Sequence, residues 1–410
     1  MITKKAERRV AVYLATMVLL HGFLFYKQWD RIVRGFPDFS IFYTAAQIFH
    51  QGQAVHIYND ALQERVQRSF APAVDERESI LPYNHPPFEA ILFWPFAKLS
   101  FIQAYVVWLF INVLLLVASV ATLRTCLPNL GKVGLWIWLL AAFGFTPFVI
   151  ALMQGQDSIL LFLFYCLALA ALQKRRDSWA GICLGFGLFK FHLVLPFMVG
   201  PLAQRRSRLI GAFAATGASL VALSIALVGW EAVLDYPRYA WWTDHVQKFR
   251  WNFLHGNTPN LRGMVLSLLP KHLWPSGEIV VVIASAMVVL GAGYLWWLGK
   301  GSVPGLRLVF AASVVATTLV SYHAWVQDLS LLFLPLMVLL DFHLQRGVRL
   351  KETVMTWGLS AICFCTPIYL GLILRYEQLQ VMGWIILLLL LMIGAGVVGM
   401  RSDPQALRSE

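Results

Sequence analysis

The chain has 410 residues, 59% of them hydrophobic and 13% charged, with a formal net charge of +12. That is more apolar side chain than one water-soluble core of this length can hide, so the composition excludes an ordinary soluble domain. The Lys and Arg residues stand in small clusters between apolar runs, with no basic arm or face, so the charge reports membrane topology and not nucleic-acid binding.

Apolar segments near the roughly 20-residue length needed to cross a bilayer recur from end to end. They predict an all-α polytopic membrane protein with about twelve membrane helices, including a broken pair of short helices, in a single domain over residues 1–410. The start "MITKKAERRVAVYLATMVLLHGFLFY" has the basic-then-apolar order of a signal sequence but no small-residue cleavage site. It predicts a retained signal anchor spanning near 10–27. The connector of about 28–100 is too long for a plain turn. Within it, "DFSIFYTAAQIFHQG" opens on an N-cap candidate, Asp38, and runs to a Gly stop, and "NDALQERVQRSF" reads as a charged surface helix. "LPYNHPPFEAILFWPFAKL" is too short and Pro-broken to span and is expected along the outer leaflet.

Spans are expected near 102–124, 133–152 and 157–173. Next comes "SWAGICLGFGLFKFHLVLPFMVGPLA", flanked by "QKRRD" and "QRRSR". One crossing there would put the two basic clusters on opposite sides, whereas a broken hairpin tipped by Lys190, Phe191 and His192 keeps them together. The hairpin places every basic connector and both termini in the cytoplasm. A span near 209–229 leads to a second long outward connector, about 230–275, whose Trp and Tyr mixed with Lys, Arg and His suit lipid headgroups. The last spans are expected near 277–298, 305–322, 325–343, 353–372 and 379–400.

Several polar residues stand where such a chain has few. Asp38 is an N-cap by position, and the same anchoring would hold a catalytic base. His323 ends an apolar helix on the outward side, with Asp328 one turn further on; ionisable groups at the lip of a span are functional candidates by default, the plain alternative being a wetted loop. Lys190 and His192 lie mid-way in an apolar stretch, where a lysine needs a cavity, an anion or a route to the interface. Gln154, Gln156 and Asp157 form a polar tip between two spans, a binding site or a simple loop with Asp157 capping the next helix. Tyr83, Asn84 and His85 precede two prolines and line a pocket or decorate a turn. Arg262, with Asn257 and Asn260, has the donors for a phosphate or sugar hydroxyls. The five cysteines show no ligand or disulfide spacing. There is no P-loop, HExxH or GxSxG, and the sparse, separated outward carboxylates argue against a bound divalent ion. No metal and no cofactor are expected.

Five motifs stand in a fixed order: "PDFSIFYTAAQIFHQGQAVHIYN", "YNHPPFEAILFWPFAKLS", "MQGQDSILLFLF", "GLFKFHLVLPF" and "YHAWVQDLSLLFLPL". In this order the chain resembles glycosyltransferase family 87, the polyprenyl-phosphate-mannose-dependent α-mannosyltransferases of the GT-C superfamily, over roughly 35–345. The resemblance implies an inverting transferase in the bacterial inner membrane. It would take mannose from a lipid monophosphate carrier on the periplasmic or extracellular side and pass it to a glycan or glycolipid. The family's catalytic Asp falls on Asp38, its His on His323 and its Lys on Lys190, while "NTPNLRG" departs from the family's Asn-rich pattern.

The chemistry is consistent with these residues. A sugar phosphate carries its own leaving group, so an inverting displacement needs one base, Asp38, opposite the phosphate. Lys190, His192, His323 and Arg262 would supply the positive charge or N–H donors for the leaving phosphate. The rival expectation is a polytopic transporter or flippase, which would use discontinuous helices with ionisable groups at midplane. A structural scaffold is a third.

Overall fold

The computed structural model describes residues 4–245, 255–346 and 350–401, and every regular element among them is helical. Seven of the described helices are long and apolar enough to cross a membrane, and the number rises to ten when each of three bent helix pairs counts as one span. The protein is a polytopic all-α membrane protein. Val303–Val320 and Val326–Arg346 are buried almost throughout, whereas Glu7–Val33, Ser207–Thr243 and Lys271–Leu298 expose most of their apolar surface, as helices do whose solvent is lipid.

The expected hairpin is present. Asp177–Val194 and Pro196–Ala203 meet at a bend of 104°, and Arg206 Nη1 pairs with Asp177 Oδ1 at 3.0 Å, which joins the two basic connectors at one end of the bundle. Two of the expected spans, near 133–152 and 353–372, are bent: Leu135–Phe143 with Thr146–Gln154 by 65°, and Val354–Cys363 with Thr366–Arg375 by 56°. All three bends fall at a proline (Pro147, Pro196, Pro367), which lacks the amide hydrogen a continuous helix requires.

Carbonyls freed by such breaks need partners inside a membrane, and here the first helix supplies one. His21 Nδ1 lies 2.8 Å from the Phe143 carbonyl and its Nε2 lies 2.7 Å from Thr366 Oγ1, while Thr366 and Thr146 share a hydroxyl contact of 2.9 Å. Since only Nδ1–H can donate to a carbonyl, Nε2 accepts from Thr366, and one neutral imidazole ties both broken spans to the first helix.

The second outward connector differs from expectation at its start. Ser207–His245 breaks at Gly229, with φ 82°, and then continues as helix through residues expected to be loop. The expected headgroup surface over 246–254 lies outside the described residues.

The first connector folds into the bundle. Phe39–His50 ends as expected near a glycine, Gly52, with φ +70°. Asp60–Arg68 is capped by Asn59, whose side chain accepts from the Leu62 amide at 2.9 Å. The segment expected along the leaflet buries Tyr83, Ala90 and Phe93 completely and exposes Leu92 and Trp94. Phe93 stacks on Phe42 at 4.3 Å and meets Trp108 edge-on at 4.8 Å. Burying a Phe contributes about 2–3 kcal/mol.

Gly155 ends Thr146–Gln154 in the left-handed conformation, φ 61°, and a Cβ there would sit 2.8 Å from Phe39 Cβ. Gly155→Ala is therefore expected to cost at least about 1–2 kcal/mol for the backbone alone and to lower the Tm of the detergent-solubilised protein. An unchanged Tm would show that the close seating of Phe39 on this turn contributes nothing.

Candidate active site

Asp38 begins the helix Phe39–His50, but its side chain does not cap it. The first-turn amides of Ser40 and Ile41 find the backbone carbonyls of Pro37 and Asp38 at 3.0 and 2.8 Å. The carboxylate is thus released from capping and is held by glutamines. Gln156 Nε2 donates to Asp38 Oδ2 at 2.6 Å, Gln327 Nε2 to the same oxygen at 3.4 Å, and Gln154 Oε1 accepts the Asp38 amide at 3.1 Å. Burial raises the Asp38 pKa above the ordinary 3.8, against the bond from Gln156 and the charges of Lys190 and Arg77.

Gln156 is oriented from its far side. Its Oε1 accepts from Lys190 Nζ at 3.4 Å. The buried ammonium also meets Asp328 Oδ1 at 2.6 Å, Ser158 Oγ at 2.8 Å and Asp157 Oδ1 at 3.0 Å. Asp328 Oδ2 in turn accepts the Trp325 amide at 3.0 Å. Asp157, a capping candidate by position, caps nothing with its side chain and pairs with Lys190 instead. The hairpin tip, the "QGQDS" turn and the segment after His323 therefore converge on one charge.

His85 Nδ1 contacts Glu89 Oε2 at 2.8 Å and lies 4.0 Å from Asp157 Oδ2. Burial pushes the His85 pKa down to about 4 and, together with neighbouring Asp157, pushes Glu89 well above the carboxylate range. The donor atoms of His85, Glu89 and Asp157 lie within 4.8 Å of one another, the one described grouping of three that a metal would find. The Lys190 ammonium, 3.0 Å from Asp157, already supplies positive charge there.

A cavity of about 640 Å³ opens beside Asp38. Its polar end, around Asp38, presents Arg77, Asn84, His85, Gln156 and His323; elsewhere it is lined by Leu24, Ile32, Val149, Met153, Ile373 and Leu374, with His21, Gln28, Thr146 and Thr366 among them. From Arg31 back to His21 it follows the first helix for ten residues, about 15 Å at the helical rise. Leu374, 75% exposed, lines it on the outer surface of the bundle. A smaller cavity of about 60 Å³ adjoins at Asn84, His85, Gln156, Lys190, His192 and His323. His323 Nε2 accepts the Trp325 indole N–H at 3.2 Å, and His192 Nδ1 contacts Ser321 Oγ at 2.6 Å.

Asp38, Asn84, His85, Gln154, Gln156, Asp157, Lys190, His192, His323 and Asp328 are thus brought together, from segments up to 290 positions apart in sequence (Asp38 to Asp328). Four other candidates line neither cavity. Tyr83 is buried, its hydroxyl donating to the Pro86 carbonyl at 2.9 Å. Asn260 caps the Gly263 amide at 2.7 Å and donates to the Ser321 carbonyl. Arg262 pairs with Glu278 at 2.8 Å, and Asn257 sits in the short turn His255–Asn257. Arg31, Arg77, Glu89 and Gln327 join the site without having been singled out by pattern. Gln327 lies inside a quoted motif, but Arg77, in "VDERES", reads as a solvated surface charge.

Lys190→Gln leaves two buried carboxylates without their cation, and the expected loss is about 3–5 kcal/mol of stability. Adding Asp328→Asn to the Lys190→Gln protein is expected to restore part of the lost Tm. A double variant no more stable than the single would argue that the ammonium–Asp328 pair is not what holds these segments together.

Among family models, the chain matches glycosyltransferase family 87 over residues 83–322, more than half of its length. The matched stretch contains the "QGQDS" turn, the hairpin and Lys190; Asp38, His323 and Asp328 lie beyond it and join it in space. A search of curated proteins finds no match. The chain belongs to glycosyltransferase family 87 and is a glycosyltransferase built on a bundle of membrane helices.

Proposed function

We propose that the enzyme moves a hexose, mannose by its resemblance to the family, from a polyprenyl-phosphate carrier to a glycan or glycolipid, with inversion at the anomeric carbon and with Asp38 as general base. The observation that carries this proposal is the shape of the large cavity: a carboxylate held by two glutamines, with a third on its backbone amide, and a largely apolar slot running about 15 Å back along a membrane helix. An amphiphile with a polar head and a hydrocarbon tail has the same division, and the volume is that of an ordinary ligand site.

In the proposed step an acceptor hydroxyl oxygen attacks the anomeric carbon as the anomeric C–O bond to phosphate breaks. The hydroxyl proton passes to Asp38, and the carrier leaves as a phosphate monoester. A carboxylate whose pKa burial has raised takes that proton more readily than a solvated one. His323, whose Nε2 accepts the Trp325 N–H and which lines both cavities, is proposed to face the sugar phosphate. Lys190, between Asp157 and Asp328, is proposed to act through Gln156 by fixing the direction of its amide.

The proposed site faces the periplasm or cell exterior. In support, Ser158–Gln173 runs from the site to the basic connector 174–176, so that this cluster, and 205–208 beside it, lie at the end of the bundle away from Asp38. Family membership argues for group transfer and supplies no support for a transporter.

The test is transfer from synthetic polyprenyl-phosphate mannose by purified protein in nanodiscs. Asp38→Asn is expected to lose about 10²- to 10⁴-fold in kcat with its Tm retained; equal transfer by the two proteins refutes Asp38 as the base. In the wild type, kcat/KM should fall on acidification through a pKa above 3.8, because the base must be ionised and burial raises its pKa. Activity that stays flat until an ordinary carboxylate would titrate contradicts a base whose pKa is raised.

A further inference from the structure

Two guanidiniums share the polar end of the large cavity with Asp38. Arg31 comes from the last turn of Lys4–Val33, and Arg77 ends the short helix Ala73–Arg77. They converge on one ring: Arg31 Cζ lies 4.5 Å and Arg77 Cζ 5.4 Å from the centre of Phe36, two residues before Asp38. Arg77 Nη1 also donates to the carbonyls of Phe36 and Gly35, at 3.2 and 3.4 Å, which fixes the guanidinium against the turn that delivers Asp38. Arg31, Phe36, Asp38 and Arg77 all line the cavity. Burial is the main cause that pushes the Arg77 pKa down to about 10; the Asp38 and Glu76 charges oppose it and the nearby Arg31 charge adds to it. Two like charges that line one cavity favour an anion in it.

The other cations near the site stand apart from the Phe36 turn. Lys190 is held by Asp157 and Asp328 behind Gln156. Arg262 pairs with Glu278 and lines neither cavity, and Arg34 pairs with Glu76.

We infer that Arg31 and Arg77 form the anion subsite of the large cavity, taking the phosphate of a lipid phosphate ester whose tail runs down the apolar slot past Ile32. The inference rests on the lipid-carrier proposal above and moves the phosphate from Lys190, His192 and Arg262 to two residues of the first connector. As the anomeric C–O bond breaks, its electron pair stays on the phosphate oxygen, so the departing monoester carries more negative charge than the diester. Paired guanidiniums stabilise that developing charge more than the starting one.

The test is direct binding to purified wild type, Arg31→Gln/Arg77→Gln and Arg77→Lys, using farnesyl phosphate, farnesol and inorganic phosphate, read by quenching of tryptophan fluorescence. Wild type is expected to bind farnesyl phosphate at least about tenfold more tightly than farnesol, the scale of charge-assisted hydrogen bonds. The double variant should lose that advantage with its farnesol affinity unchanged, and Arg77→Lys should keep part of it. Asp38→Asn should tighten farnesyl phosphate and leave farnesol alone, because a neighbouring negative charge is gone; arginines that merely touch headgroups at the membrane surface would not respond to Asp38. A double variant that keeps the full preference for farnesyl phosphate overturns the subsite while leaving the lipid carrier standing. Inorganic phosphate competing as strongly as farnesyl phosphate overturns the lipid ester as its ligand. Wild type that binds neither farnesyl compound overturns the lipid-carrier proposal and the subsite with it.

Discussion

The ammonium of Lys190 is the constraint on which the rest of the site depends. A lysine buried in a membrane bundle survives only with counter-charges at contact distance, and Asp157 and Asp328 supply them from two other segments. Because each ion must be compensated, the hairpin tip, the "QGQDS" turn and the segment after His323 cannot move independently. The consequence reaches Asp38 through one side chain: Gln156 turns its carbonyl oxygen to the ammonium, which leaves its amide hydrogens for the Asp38 carboxylate. A cationic charge thus holds an anionic one in place without neutralising it by contact.

A second constraint shapes the space around that carboxylate. Straight helices pack closely and leave little room, whereas the bends at Pro147 and Pro367 open a slot beside the first helix. The bends free backbone groups in a region without water, and His21, tied to Thr366 and through it to Thr146, meets the Phe143 carbonyl; all three side chains line the slot. Cavity and breaks are therefore one feature: the prolines make room, and the polar knot at His21 makes the room tolerable in a bilayer. Above it, the aromatic packing of Phe39, Phe42, Phe93 and Trp108 anchors the helix that begins at Asp38, so the acid is carried on a rigid element.

The family match covers the central part of the chain, and its limits are instructive. It ends one residue before His323 and begins well after Asp38. Inside the matched stretch Gln154 and Gln156 contact Asp38 and Lys190 contacts Asp328, both of which lie outside it, so membership of the family and the assembly of the site are linked by physical contact.

Much of this was legible in the order of residues. Hydropathy marked the bundle, because a lipid solvent demands long apolar helices. The flanking basic clusters marked the hairpin at Lys190, because one crossing would have split them. A lone Asp, His or Lys at the edge of an apolar run marked the candidates, because ionisable groups there are costly. The bends at Pro147 and Pro367 were visible as prolines but not as bends, since a proline near the start of a helix is equally compatible with a straight one. Asp38 and Asp157 looked like helix caps, and only the packed structure turns both carboxylates away from their own helices toward Gln156 and Lys190. Arg77, in a run of surface charges, had no local signal at all. Its role is set by the ring and carbonyls it meets across the fold, because local sequence dictates what a segment can form, whereas which charges face one another depends on how distant segments pack.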